Sequence, residues 1–271
     1  MKKLIALLLA LVMVLALAAC APANNDNNDS KPNDSTGSSE STGSTESTGA
    51  NDGVTVMSHA DFDAAEMDSE VVIETYVQAI ESWYNGACHI YAASEDGGYY
   101  IYSYTCTEDE AAKLVPGTKI RVTGHKGEWA GEVEIMDAKI EILEGTYTAT
   151  ATDVTDKLGT DALADYMNDL VIIKGLTVAP STIKDSDSEF AFLYSYDGSG
   201  EAGKSDLYFN VTDGTNTYTF TVNIYMVGTG ADSDVYKAVQ ALEVGQVVDV
   251  EGFLYWYDGM QPHVTSLTVA E

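Results

Sequence analysis

Three tryptophans carry most of the recognisable chemistry of this chain: Trp83 in Trp83-Tyr84-Asn85, Trp129, and Trp256 in Tyr255-Trp256-Tyr257. Tyr91, Tyr99, Tyr100, Tyr102 and Tyr104 lie between the first two. Flat rings set among acids and asparagines stack on sugar faces or bracket extended peptides. The same rings have a second role open to them, because half of a strand's aromatics must face a core. Trp83, Tyr84, Tyr102, Trp129 and Trp256 are therefore the candidate ligand-binding residues, with packing as the alternative at each. Cys88 and Cys106 form the other pair worth weighing. A hairpin centred on Gly97 sets them opposite one another, so a cross-strand disulfide is expected in an oxidising compartment. A one-residue bulge spoils that register and leaves two free thiols. No base stands beside either cysteine, so a thiol nucleophile is not expected.

Other reactive constellations are missing. His59, His89, His125 and His263 are isolated, with none of the spacings that zinc needs. Asp185-Ser186-Asp187-Ser188-Glu189 alternates oxygen ligands like the start of a calcium loop, but lacks the glycine and the distal glutamate that complete one. A solvated acidic loop is the simpler reading. There is no nucleophile elbow, phosphate loop or dinucleotide fingerprint. The expectation is a protein without catalytic residues, metal or cofactor, hence not an enzyme. Thirteen basic against 43 acidic residues leave a formal net charge of −30. Such a field repels phosphate backbones, so nucleic acid is excluded as an expected partner.

The elements that must position these residues are strands. Tyrosine and threonine are abundant, proline is rare, and alternating runs recur between turn signals. The first half reads as a strand from Val71 to about Ser82, two arms around Glu95-Asp96-Gly97-Gly98, a short helix capped by Thr107, and a hairpin over 119–143. The stretch Leu114-Val-Pro-Gly-Thr-Lys-Ile-Arg-Val-Thr-Gly124 closes that helix and opens that hairpin. Its pattern returns as Leu242-Glu-Val-Gly-Gln-Val-Val-Asp-Val-Glu-Gly252. Gly117 matches Gly245, Ile120 matches Val248, Val122 matches Val250 and Gly131 matches Gly259, so the unit is duplicated. The second copy runs through strands at 170–178, 207–211, 218–226, 247–257 and 263–269, with a helix at 233–242. It departs from the first by a Gly, Ser and Asp-rich insertion over 179–206.

Three strands, a short helix and two more strands resemble the OB-fold, a five-stranded Greek-key barrel. The expected class is therefore all-β with short helices: two OB-fold-like barrels, over 54–145 and 146–271. The resemblance implies binding on the face of the second and third strands, walled by the loops after strands one and four. It places Trp83 and Trp129 at such loops of the first copy and Trp256 at the last turn of the second.

The N-terminus tells of location. Lys2 and Lys3, an apolar run from Leu4 to Leu15, and Leu17-Ala18-Ala19-Cys20 resemble the lipobox signal of exported bacterial lipoproteins. The resemblance implies that residues 1–20 are a lipoprotein signal, diacylated on Cys20 and cleaved just before it so that Cys20 becomes the mature N-terminus, with a cell-membrane anchor on the extracellular face. An uncleaved N-terminal anchor is the alternative. Residues 21–53 are rich in Ser, Thr, Gly and Asn and read as a disordered tether spanning about 30 Å. Tandem OB-like repeats behind such a signal resemble exported lipoproteins of unassigned function. Together these readings predict a lipid-anchored, non-catalytic surface module holding a glycan or extended peptide. The alternative is an assembly lipoprotein that binds another envelope protein.

Overall fold

The computed structural model describes residues 55–270. Cys20, the signal segment and the tether lie outside the described residues. A short helix α1 (His59–Ala64) precedes the first barrel. Its N-cap Ser58 and Asp61 exchange hydrogen bonds in a capping box, an arrangement that contributes about 1 kcal/mol. At its other end Lys126 donates from Nζ to the carbonyls of Phe62, Asp63 and Ala65 at 3.0, 2.7 and 3.1 Å. A cation there satisfies carbonyls that the helix leaves unpaired.

The first barrel consists of β1 (Glu70–Ile80), β2 (Ala87–Ser94), β3 (Gly97–Thr105), β4 (Thr118–Trp129) and β5 (Glu132–Thr146), closed in the order β1-β2-β3-β5-β4. Between β3 and β4 lies α2 (Glu108–Ala111), capped by Thr107 and Glu110. Ala111 and Leu114 close the core made by Val71, Ile73, Ile90, Ile101, Ile120, Val122 and Ile135. Strand order, closure and helix position are those of an OB-fold.

The second copy repeats the plan. After β6 (Thr152–Asp153) and two 3-10 turns, Thr155–Lys157 and Asp161–Tyr166, come β7 (Leu170–Ala179), β8 (Ser181–Thr182), β9 (Glu189–Phe190), β10 (Leu193–Tyr194), β11 (Leu207–Thr212), β12 (Thr217–Val222), α3 (Asp234–Gln240), β13 (Val247–Phe253) and β14 (His263–Val269). The sheet runs β10-β11-β12-β14-β13-β7-β6, and a β11–β7 pairing closes the barrel. Its five principal strands, β7, β11, β12, β13 and β14, take the same OB order as the first copy. The 179–206 insertion is spent on β8, β9, β10 and turns, and the acidic stretch at 185–189 forms the β8–β9 turn, where Ser188 N–H donates to Ser186 Oγ at 3.1 Å.

The duplicated residues occupy duplicated places. Gly117 and Gly245 both sit at φ 91°, in the left-handed region that glycine enters without strain. Their N–H groups donate to Val77 and Val178, at the same point of each first strand. Gly124 and Gly252 face backbone at a register shift: a Cβ would lie 2.6 Å from the Met136 carbonyl in one copy and 2.4 Å from that of His263 in the other.

The two barrels belong to one compact unit, joined along an extended seam. Tyr91 stacks on Phe253 with centroids 4.4 Å apart, and its hydroxyl hydrogen-bonds His263 Nδ1 at 2.9 Å. Tyr100 meets Tyr255 edge to face at 5.4 Å. Backbone crosses the seam as well: Ser82 N–H donates to the Tyr225 carbonyl at 2.7 Å, Val227 N–H to Ile80 at 2.8 Å and Asp258 N–H to Ala130 at 2.7 Å. Gly98 lets the chains touch, since a Cβ there would lie 2.4 Å from the carbonyl carbon of Asn168.

Candidate functional site: the open groove of the second barrel

An OB barrel offers its β2–β3 face to ligands, and here the two copies differ. In the first, Tyr91 on β2 and Tyr100 on β3 point outward into the seam and are buried with Met226 and Phe253 of the second copy. That face is internal. The second barrel carries an open cavity of about 560 Å³ that reaches the start of β12 but no residue of β11. Its walls are Thr217, Tyr218 and Thr219 at the start of β12, residues 256–261 between β13 and β14, and residues 159–164 before β7.

Local sequence shapes these walls. The β13–β14 connection folds back through an isolated bridge between Trp256 and Met260, with Tyr257 N–H donating to Gly259 at 2.7 Å. Trp256 is held twice by the first barrel. Its N–H donates to Glu132 Oε2 at 2.7 Å, and its indole lies against Gly131, where a Cβ would come within 3.2 Å. Tyr218 donates to Asp213 Oδ2 at 2.8 Å. The N–H groups of Asn216 and Thr215, aided by this hydroxyl, hold the Asp213 carboxyl down to about 2. Asp161 and Asp258 stand exposed on the rim. Trp129 is 56% exposed and packs on Tyr257 at 5.2 Å. The result is an aromatic wall with carboxylate acceptors beside it, and no histidine, cysteine or lysine lines it. It is equipped to stack a flat ring and accept hydrogen bonds from it.

The five candidate rings divide between two places. Trp256 lines this groove, and Trp129 lies beside it, packed on Tyr257. Trp83 is 36% exposed and donates from Nε1 to the Cys106 carbonyl at 2.8 Å. Tyr84 is 83% exposed and lines a different cavity at the seam, beside His89. Tyr102 packs edge to face on His89 at 4.9 Å. Cys88 and Cys106 are free thiols with Sγ atoms 3.8 Å apart, so the expected bond is not formed. The hairpin turns tightly at Glu95-Asp96, and a register shift after Cys88 pairs that residue with Tyr104, leaving Cys106 beyond the strand. Burial and the neighbouring thiol push Cys88 up to about 12.

Buried carboxyls are what the sequence reading missed. Glu132 is fully buried and pushed up to about 8 by that burial, against the opposing Trp256 N–H. Burial raises Glu134 as well. Glu132-Val133-Glu134-Ile135 alternates like a strand with a solvated face, and nothing local signals that a second barrel covers it. Among the described residues no group of three or more His, Cys, Asp or Glu is placed to hold a metal ion.

Fold and groove together define a tandem OB-fold protein with one covered ligand face and one open groove. No family model matches the chain, and no curated protein does. Solved structures that it resembles include a murine DNA binding protein bound with double-stranded DNA, at 12% identity and TM-score 0.32, over 74% of this chain and 98% of that one. The p204 HINb domain matches at 12% identity and TM-score 0.34, over 76% and 100% of the two chains. A deletion variant of the single-stranded DNA binding protein from Thermus aquaticus matches at 15% identity and TM-score 0.23, over 74% and 94%. These DNA-binding matches overturn two expectations: the glycan or extended peptide as ligand, and the exclusion of nucleic acid read from net charge. At such identities the likeness speaks for the fold.

Proposed function

We propose that this protein is a non-catalytic binding module whose site is the open groove of the second barrel, taking a small, flat-ringed ligand that carries N–H donors. One observation carries the reading: the face of the first copy is sealed by its partner barrel, while the second barrel keeps an open cavity beside Trp256 and Tyr218. A ring stacked there is worth about 1–3 kcal/mol, and Asp161 and Asp258 accept its donors. Residues 17–20 support tethering of the module to the outer face of a cell membrane through Cys20, which confines its ligand to the space within reach of the tether.

Quenching of tryptophan fluorescence tests the reading on the full chain, with nucleosides, aromatic amines and a single-stranded oligonucleotide as probes. The expected result is saturable quenching by a nucleoside or aromatic amine, lost in Trp256→Ala with thermal unfolding retained. An oligonucleotide that binds more tightly than its nucleoside at 0.15 M salt, and fails in the same variant, moves the assignment to nucleic acid. Quenching that survives in Trp256→Ala removes the groove as the site.

A further inference from the structure

A second cavity, of about 630 Å³, opens at the seam and takes no part in the groove. Glu81, at the end of β1, lies in it together with Tyr84, Asn85, His89, Ser103 and Tyr225. Glu81 Oε1 accepts from Asn223 Nδ2 of the second barrel at 2.8 Å, and no other hydrogen bond to this carboxyl joins it from the described residues. Asp206, also from the second barrel, repels it. Tyr84 and Tyr225 are 83% and 57% exposed, so two ring faces stand at the mouth of a cavity with a carboxylate in its wall. No lysine or arginine lines it.

Aromatic faces around a poorly solvated carboxylate are the chemistry that holds an organic cation. We propose that this cavity is a binding site for a primary alkylammonium, its nitrogen on Glu81 and its chain against Tyr84 and Tyr225. The N–H donors meet the carboxylate, the rings shield the methylenes, and one positive charge relieves the repulsion between Glu81 and Asp206. A net charge of −30 raises the local concentration of any cation around it.

Binding at this site is linked to a proton. Burial, helped by Asp206, pushes Glu81 up to about 7, so the empty site is half protonated near neutrality. The other groups around it come from both barrels: Cys88, His89 and Tyr91 on β2, Tyr100 on β3, and Tyr255 after β13. Burial lowers His89, which keeps it uncharged at neutral pH, and raises the thiol and the phenols. Burial also raises Asp206. Glu81 is thus the group that changes charge as a cation enters.

Calorimetry of the full chain with n-butylammonium, and with n-butanol as its uncharged counterpart, decides the matter. Butylammonium is expected to bind saturably, about tenfold more tightly at pH 8 than at pH 6, following the ionised fraction of Glu81. Butanol is expected not to bind. Glu81→Gln should weaken binding at least tenfold at pH 8 and abolish the pH dependence. Tyr225→Ala, at an exposed ring, should weaken it several-fold with unfolding unchanged, which keeps the test intact if the first variant fails to fold. Equal binding of the two probes, no binding at either pH, or wild-type affinity in both variants overturns the proposal. So does loss of butylammonium binding in Trp256→Ala, which assigns the cation to the groove.

Discussion

Glu132→Gln isolates the electrostatics of the seam. Glu132 is fully buried at the start of β5, its Oε2 accepting from Trp256 while Oε1 and the nearby Asn168 Oδ1 have no hydrogen-bond partner. Burial pushes the carboxyl from 4.5 to about 8. The folded chain therefore holds a proton that the unfolded chain releases above 4.5, so stability declines as pH rises from 4.5 and is lost through 8. With those two values, linkage from pH 5 to pH 9 amounts to about 4 kcal/mol. Glutamine keeps an acceptor for Trp256, supplies N–H donors in place of the O–H of the protonated carboxyl, and cannot ionise. Urea unfolding at pH 5, 7 and 9 should show the variant within about 1 kcal/mol of wild type at pH 5 and more stable at pH 9 by up to about 4 kcal/mol. Glu81, pushed up to about 7, stays in the variant and retains a slope worth about 2.5 kcal/mol over the same range. Parallel pH profiles for the two proteins would refute the reasoning, because they would mean that Glu132 ionises alike in folded and unfolded chains.

Other outcomes follow from the same seam and core. His263 is buried and held down to about 4 by that burial. The unfolded chain gains its proton first, so this residue erodes stability as pH falls from 6.5 through 4, by up to about 3 kcal/mol; acid titration followed by near-UV circular dichroism should show the loss reduced in His263→Gln. Gly98→Ala places a methyl 2.4 Å from Asn168 backbone, which must loosen the seam at about 1–3 kcal/mol; a urea transition as steep and as late as that of wild type would count against the close approach. Cys88 and Cys106 are near enough for mild oxidation to join them. The bond should add about 3 kcal/mol by closing a short loop, read as a two-hydrogen mass loss with a raised unfolding midpoint that Cys88→Ala abolishes.

The barrels were legible in the sequence because their signals are local and repeated. Thr107 caps α2 as its sequence predicts, α3 lies within the expected 233–242 helix, and the Leu-x-x-Gly pattern led to glycines with the same φ. The closed strand order followed from counting elements between turns. The site was half legible: Trp256 lines the groove and Trp129 packs on Tyr257 beside it, whereas Trp83 spends its indole N–H on Cys106. The disulfide register failed on a bulge after Cys88 that no residue type announces. The buried carboxyls were invisible for a different reason. Glu81, Glu132 and Asp206 are covered by contacts between residues more than a hundred positions apart, and an alternating strand reads the same whether its polar side meets water or another barrel.

One trace of that coverage does lie in the sequence, in the contrast between the two third strands. In β3 the inward Tyr99 and Ile101 are interleaved with Gly98 and Tyr100, apolar or small on both faces. In β12 the inward Phe220 and Val222 are interleaved with Thr217, Thr219 and Thr221, a polar outer face that is exposed at Thr217, half-buried at Thr219 and buried at Thr221. A strand buried on both sides loses its alternation, and a strand with a wet face keeps it. The β2–β3 face of the first copy is thus an interface, with Tyr91 and Tyr100 buried against Met226 and Phe253. Sealing that face with Tyr91, Tyr100 and Gly98 holds the β4–β5 turn against the second barrel, so that Glu132 and Gly131 position Trp256 in the open groove. The covered copy is therefore part of the site, and a second barrel isolated from it would lose the hydrogen bond and the packing surface that fix the groove's main ring.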